Sequence, residues 1–407
     1  MENQSWKFTK REALTVLVVA LGYYVDAYDL LVMSAVRKSS LISLGIPESE
    51  TLNIGLSLLN YQLVGLMIGG VIWGIIADKY GRRRALFGSI LLYSFANIAN
   101  SFVTSVDMYY LLRLIAGFGL AGELGVGISL ITESVSKEKR TISTAIVSFF
   151  GMLGAATGGW FGTLFDWHNC FLIGGLAGLF LLLLRLQIRE SVLFNEIKIK
   201  NISKGNLWTI IKNPKMLLTY FFCTLSGASS FLFIGMFIQS TPEFGKIFDV
   251  NILAGTALIW YYLGASISEI IAGVMSKVLK ERKATIYIFY SVSLLAVTNF
   301  CIGTPQSSYA FYLNCLFLGF GLGWWSQLIT LSAELFGTNI RATAATSIPT
   351  FARAWNIPLS NLFKQNISSL GIVNSAFGVG ILTIALAMIS ITMVKETFEN
   401  DANFVNE

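Results

Sequence analysis

Residues 53–103 read NIGLSLLNYQLVGLMIGGVIWGIIADKYGRRRALFGSILLYSFANIANSFV. Two apolar runs, 53–77 and 85–103, are hinged on DKYGRRR. A helix rising ~1.5 Å per residue needs about 20 mostly apolar residues to cross a bilayer core. Each run is long enough. The hinge is short and strongly basic, so it stays in water while the flanking runs do not. The stretch is a helical hairpin across a membrane.

Outward from it, similar runs fall near 13–36, 107–134, 140–165 and 168–188. Six more lie near 215–240, 252–276, 284–303, 308–335, 341–367 and 371–394. The expected fold is an all-α membrane protein of twelve transmembrane helices in two pseudo-symmetric six-helix halves. The expected domains are 1–188, a linker at 189–214, and 215–407. The first run continues past the length of a signal-peptide core with no small-residue cleavage pattern, so it reads as a retained helix. An even number of crossings puts both termini on one side. The termini and the loops on that side hold 23 of the 29 Lys and Arg, against four on the other. By the positive-inside rule that side is cytoplasmic, in the plasma (inner) membrane.

Composition agrees. Hydrophobic residues make up 54% of the chain and charged residues 13%, with a mean hydropathy of +0.66. A soluble domain carries ~25% charged residues. The net charge of +6 follows from the loop asymmetry, so nucleic-acid binding need not be invoked. Cys170, Cys223, Cys301 and Cys315 lie in or beside apolar runs without paired spacing, and His168 is the single histidine. No metal site is expected. No nucleophile triad or phosphate loop appears, so an enzyme is not expected. The partners are the lipid bilayer and a small-molecule substrate, with no cofactor beyond a coupling proton, and the protein is expected to be monomeric.

The halves repeat. GFGL occurs at 117–120 and 319–322, and Glu133 and Glu334 each precede an arginine, Arg140 and Arg341, by seven residues. GIIADKYGRRR from Gly74 is echoed by GVMSKVLKERK from Gly273, with Lys277 in place of Asp78. Two related halves are a transporter architecture with substrate bound between them.

These residues resemble the major facilitator superfamily. Gly74, Asp78, Lys79, Gly81, Arg82 and Arg83 match its loop signature G-x-x-x-D-[RK]-x-G-[RK]-[RK], and Arg84 extends the basic run. Asp26-Ala-Tyr-Asp29 is similar to the D-G-[FY]-D of metabolite:proton and aromatic-acid:proton symporters. Arg113 to Leu124, with Gly117, Gly119, Gly122 and Glu123, is similar to their R-x-x-x-G-x-G-x-G-G-E-L-P, without the proline. Ala333-Glu334 through Arg341-Ala-Thr looks like A-E-L-[FY]-P-T-x-x-R-A-T, with Gly337 replacing the proline. The paired-glutamine signature of hexose carriers is missing from helix 7. The resemblance implies a secondary active transporter working by alternating access, as a proton-coupled symporter of a small polar metabolite, in particular a carboxylate: an organic acid, sugar acid or amino acid. The alternatives are a proton-coupled efflux antiporter, a sugar or organic-cation carrier, and a transporter-like nutrient sensor.

Charges inside a membrane cost ~2.5–3.5 kcal/mol each on insertion scales, so they are functional candidates. Six qualify: Asp26, Asp29, Arg113, Glu123, Glu269 and Arg353. Helices 3, 6, 9 and 12, the outer ones in the superfamily, carry none in their interiors. Asp29 and Arg113 share a depth of ~10 Å and can meet. In the resembling families such a pair couples protons; a static ion pair is the alternative. Asp26, one turn away, is a second proton site or a substrate ligand. Glu123 is either a structural hydrogen-bonder or part of transport. Glu269 is expected to form a gate pair with loop lysines. Glu133 with Arg140, and Glu334 with Arg341, read as gate-forming salt bridges.

Arg341 and Arg353 lie twelve residues apart, as do the matching arginines of organic-anion carriers, which implies that Arg353 binds a carboxylate. A salt bridge to Glu269 or Asp26 is the alternative. Aromatic and polar residues are expected to complete the cavity: Tyr23 and Tyr28 on helix 1; Ser229, Ser230 and Gln239 on helix 7; Trp260, Tyr261 and Tyr262 on helix 8; Trp324, Trp325 and Gln327 on helix 10. Some of these are expected to be interfacial or lipid-facing instead.

Overall fold

The computed structural model describes residues 8–186, 190, 207–238, 240–252, 254–303, 305 and 307–398. The first six crossing helices are α1 (Lys10–Ser43), α2 (Glu48–Tyr80), α3 (Arg82–Asn100), α4 (Val106–Ser134), α5 (Lys137–Leu164) and α6 (Trp167–Arg185). The second six are α7 (Pro214–Ile238), α8 (Ala254–Leu279), α9 (Arg282–Ile302), α10 (Ser308–Leu335), α11 (Arg341–Ala354, continued as 356–370) and α12 (372–392). Most of the linker expected at 189–214 lies outside the described residues; a short helix, Leu207–Lys212, precedes α7.

Local chemistry sets the helix ends. Thr9 and Glu12 form a capping box at α1, and Ser105, Asp166, Asn213 and Ser307 accept backbone N–H bonds at the starts of α4, α6, α7 and α10. Such caps satisfy donors that a helix start otherwise leaves bare. Gly81, at φ +108°, ends α2 and turns the chain into α3; Gly371, at φ +74°, separates α11 from α12. A side chain is strained at those angles.

Ten helices among the described residues are apolar enough to cross a membrane by length and composition. The other two crossings are α3 and α11. Arg82, Arg83 and Arg84 open the first, and Arg341 and Arg353 lie on the second, so neither reads as lipid-like. Both are instead rich in buried polar residues.

Helix α1 packs on α5 and α2 on α4, while α2 also packs on α11 and α5 on α8, joining the halves. The last two contacts are tight. A Cβ on Gly74 would lie 2.5 Å from Thr343 Cα, and one on Gly273 would lie 2.4 Å from Ala145 Cβ. Lys139 stacks over Phe8 and Arg282 over Phe398, so both described chain ends sit on the face that carries the α2–α3 hinge. We call this the basic face.

Candidate functional site

Between the halves lies a cavity lined from both sides. From the first half α1 lends Tyr23, Asp26, Leu30 and Leu31, and α2, α4 and α5 add Leu66, Leu124 and Met152. From the second come Ser230, Phe231 and Ile234 of α7, Tyr262 of α8, Trp325 of α10, and Thr346, Thr350 and Arg353 of α11. A mostly apolar wall with few polar groups is the usual make-up of a small-molecule site.

Arg353 is the cation of that wall and is only 9% exposed. Its central guanidinium carbon lies 5.3 Å from the ring of Phe231 and 5.4 Å from that of Trp325. No carboxylate among the described residues lies within ion-pair distance, and its Nε has no hydrogen-bond partner. The bridge to Glu269 or Asp26 is therefore not formed. Glu269 is fully buried and accepts a 3.3 Å bond from the Ser326 backbone N–H, while its other oxygen is unpartnered. The loop-lysine partner expected for it is absent among the described residues. Depth explains this: Glu269 faces α10, where the 3-10 turn Gly321–Trp324 interrupts the helix and leaves the Ser326 N–H to find another acceptor.

Four expected wall residues other than Arg353 line the cavity: Tyr23, Ser230, Tyr262 and Trp325. Tyr28 instead donates to the Cys170 carbonyl at 3.0 Å and meets Phe161 edge-on. Tyr261 and Trp324 are fully buried behind the wall, Trp324 against Tyr290 at 5.1 Å. Gln327 bonds Ser326 and is also off the wall. Gln239 lies outside the described residues. Adjacent helical residues point ~100° apart, so only one of each aromatic pair can face the cavity.

Inside the first half, Asp29 and Arg113 meet at 3.6 Å. Arg113 is also bonded to Asn97 at 2.6 Å and Asn100 at 3.3 Å, and lies 4.6 Å from the ring of Phe171. Glu123 is held by Arg185 through both guanidinium ends and by Ser89 at 2.6 Å. The outer helices α3 and α6 therefore carry buried polar chemistry, against expectation. Arg185, counted from sequence as a loop charge, reaches back from the end of α6 into the protein, where it is 2% exposed at its side chain. A signal was available: Ser89, Tyr93, Asn97 and Asn100 recur at four, four and three residues, a single buried face of α3.

The basic face is clasped. Asp78 accepts from the Ala342 and Thr343 backbone N–H groups at 3.1 and 2.9 Å and from the Thr343 hydroxyl at 2.7 Å, capping α11 from the other half. Arg82 bonds Asp78 (3.2 Å), Glu133 (2.8 Å) and the Thr338 carbonyl (2.8 Å). Glu133 also takes Arg341 at 3.2 Å. Glu334 is forked by Arg282, which reaches Thr141 across the interface at 2.7 Å. The expected pairs Glu133–Arg140 and Glu334–Arg341 are thus not formed. Arg140 donates to the Val135 carbonyl, and the two glutamates turn to Arg82, Arg341 and Arg282. Arg83 donates to the Leu186 carbonyl at 3.2 Å, and Arg84 is exposed.

The family model described as the Major Facilitator Superfamily matches residues 15–360. The chain belongs to the major facilitator superfamily. It is 28% identical, over 94% of its length and 96% of the other's, to a Bacillus subtilis protein provisionally named niacin/nicotinamide transporter NiaP. It is 26% identical, over 67% of its length and 59% of the other's, to the 4-hydroxybenzoate transporter PcaK of Acinetobacter baylyi. The solved structure of the proton:xylose symporter XylE matches with a TM-score of 0.75 at 18% identity, covering 95% of this chain and 96% of that one. This major facilitator protein is accordingly a multi-pass membrane transporter and not an enzyme, and its twelve-helix, two-half fold is that of the superfamily.

Proposed function

We propose that this transporter imports a small aromatic monocarboxylate together with protons. The observation that carries the reading is Arg353: a buried guanidinium on the cavity wall, beside two aromatic rings, with no carboxylate among the described residues within ion-pair distance. A guanidinium cannot shed its charge, and its planar fork matches a carboxylate through two parallel bonds. The flanking rings favour a flat ligand. The relatives' names, a niacin/nicotinamide transporter and a 4-hydroxybenzoate transporter, each include an aromatic acid, the first beside its amide.

The proton path begins at Asp26 on the wall and continues to Asp29, one turn along α1 and 3.6 Å from Arg113. Arg113 pairs with Asp29 while close, and separation of the helices breaks that pair and frees the carboxyl to exchange a proton. The basic face is the cytoplasmic one, and its clasp makes this the state that loads from outside. The proton is the only cofactor, the protein is a monomer, and the membrane is the plasma (inner) membrane.

The test is binding of benzoate and of benzamide by purified parent, Arg353→Lys and Arg353→Ala protein. A charge-assisted contact contributes roughly 1.5–3 kcal/mol, so Arg353→Ala weakens benzoate by about ten- to a hundredfold and Arg353→Lys by less. Benzamide is affected little. A parent that does not prefer the acid, or an Arg353→Ala variant that keeps the preference in full, refutes the reading.

A further inference from the structure

The cavity wall contains a second unmatched charge. Asp26 lines the same space as Arg353, from α1 of the opposite half. It is 7% exposed, its Oδ1 has no hydrogen-bond partner, and it forms no ion pair among the described residues. Its neighbours on the wall from α1 are Tyr23, Ala27, Leu30 and Leu31, none of them charged. A carboxyl and a guanidinium, both more than nine-tenths buried, thus share one cavity without bonding each other.

Leaving a buried polar group unsatisfied is unfavourable, and more so when the group is charged. Two such groups of opposite character at one site are complementary to a ligand with the reverse pattern. We propose that Asp26 and Arg353 are the two poles of one binding site, and that the substrate carries a carboxylate at one end and a nitrogen at the other. This rests on the reading of Arg353 above and names what the far end of the ring must offer. Protonated, Asp26 donates to an aromatic ring nitrogen; ionised, it accepts from a ring N–H. The hydrogen bond is the same in either bookkeeping of the proton. The remainder of the wall is leucines and rings with the hydroxyls of Tyr23, Ser230, Tyr262, Thr346 and Thr350, none of them charged. A flat heteroaromatic acid fits, and a benzene ring leaves Asp26 bare.

The geometry has a mechanical corollary. The poles stand on different halves, so a dipolar ligand ties α1 to α11 in a way that a singly charged one does not. It also brings substrate to a carboxyl one turn from Asp29, so ligand and coupling proton meet on neighbouring groups.

The experiment measures dissociation constants of nicotinate, benzoate and nicotinamide by calorimetry on purified full-length protein. Nicotinate and benzoate differ only by a ring N in place of CH. A site built to bond that nitrogen favours nicotinate by about tenfold or more, because benzoate leaves the acid unpaired. Asp26→Leu brings the nicotinate:benzoate ratio close to one, Asp26→Asn reduces it part-way, and Arg353→Ala weakens both acids while preserving the ratio. Equal binding of the two acids by the parent, or an unchanged ratio in Asp26→Leu and Asp26→Asn, overturns the proposal. Failure of the carboxylate reading has a different signature: nicotinamide then binds as well as nicotinate, whatever the ratio between the acids. Should Asp26→Leu not fold, Asp26→Asn decides through the same ratio.

Discussion

Asp78→Asn probes the clasp on the basic face. In the structure the Asp78 carboxylate takes two backbone N–H bonds and one hydroxyl bond from the start of α11, together with the guanidinium of Arg82. Asparagine keeps one carbonyl oxygen and puts an NH2 where the other oxygen accepted, facing donors. The loss combines a helix cap, about 0.5–2 kcal/mol, with a charge-assisted bond of about 1.5–3 kcal/mol. Allowing for overlap between the two, about 2–3 kcal/mol of preference for the clasped state disappears. That moves the equilibrium between clasped and open forms by roughly thirty- to 150-fold. Spin labels at Tyr80, 59% exposed, and Val278, 75% exposed, sit on the two halves at this face and report their separation. The parent gives a short distance, and the variant a second, longer population that dominates if the parent favoured clasping by less than the loss. Ligand affinity of the fraction that remains clasped does not change. Identical distance distributions in parent and variant refute the reasoning and leave the hinge motif a role in insertion or folding alone.

Two further outcomes follow from the buried charges. Asp29→Asn abolishes substrate accumulation driven by an inward proton gradient in vesicles while exchange at equal pH survives; full accumulation by the variant removes Asp29 from coupling. Arg185→Met strands Glu123 inside the first half and lowers stability by about 3–5 kcal/mol in chemical denaturation, whereas Arg185→Met with Glu123→Gln recovers most of it. Equal losses in the single and double variants mean that the pair is not coupled.

Ten of the twelve crossings are legible in the sequence because the bilayer imposes a length and polarity that composition records directly, whereas α3 and α11 are richer in polar residues and depart from that composition. The hinge at 78–84 was legible for the same reason. Partner choice was not. Glu133 and Arg140 lie two turns apart in sequence, yet Glu133 turns to Arg82 and Arg341, because helix packing brings the starts of α3 and α11 nearer. Trp325 and Trp324 have equal claims on paper. The 3-10 turn over Gly321–Trp324 changes the angular register of α10, so that Trp325 faces the cavity and Trp324 packs on Tyr290. The buried lining of α3 is visible as a stripe at helical spacing, but its residues are uncharged and so escape a search for buried charges. Asp26 and Arg353 were both identifiable as expensive charges. That they share a wall without pairing is a fact of three dimensions.

The pair of Glu123 with Arg185 bears on how the protein is made. The two residues are 62 positions apart. At a synthesis rate of ~5–20 residues per second, Glu123 emerges roughly 3–12 s before the arginine that will neutralise it. Throughout that interval α4 holds an acid that disfavours partition into lipid. Ser89 on α3 is already available and is bonded to the same carboxylate in the finished protein at 2.6 Å. Helix α3 is thus a chaperone in cis, giving α4 a polar companion until α6 arrives. Completion of the first half, rather than of each hairpin, is then the step that commits these helices to the bilayer. A ribosome stalled between α4 and α6 displays an unfinished half that membrane quality control can recognise by its unanswered charge.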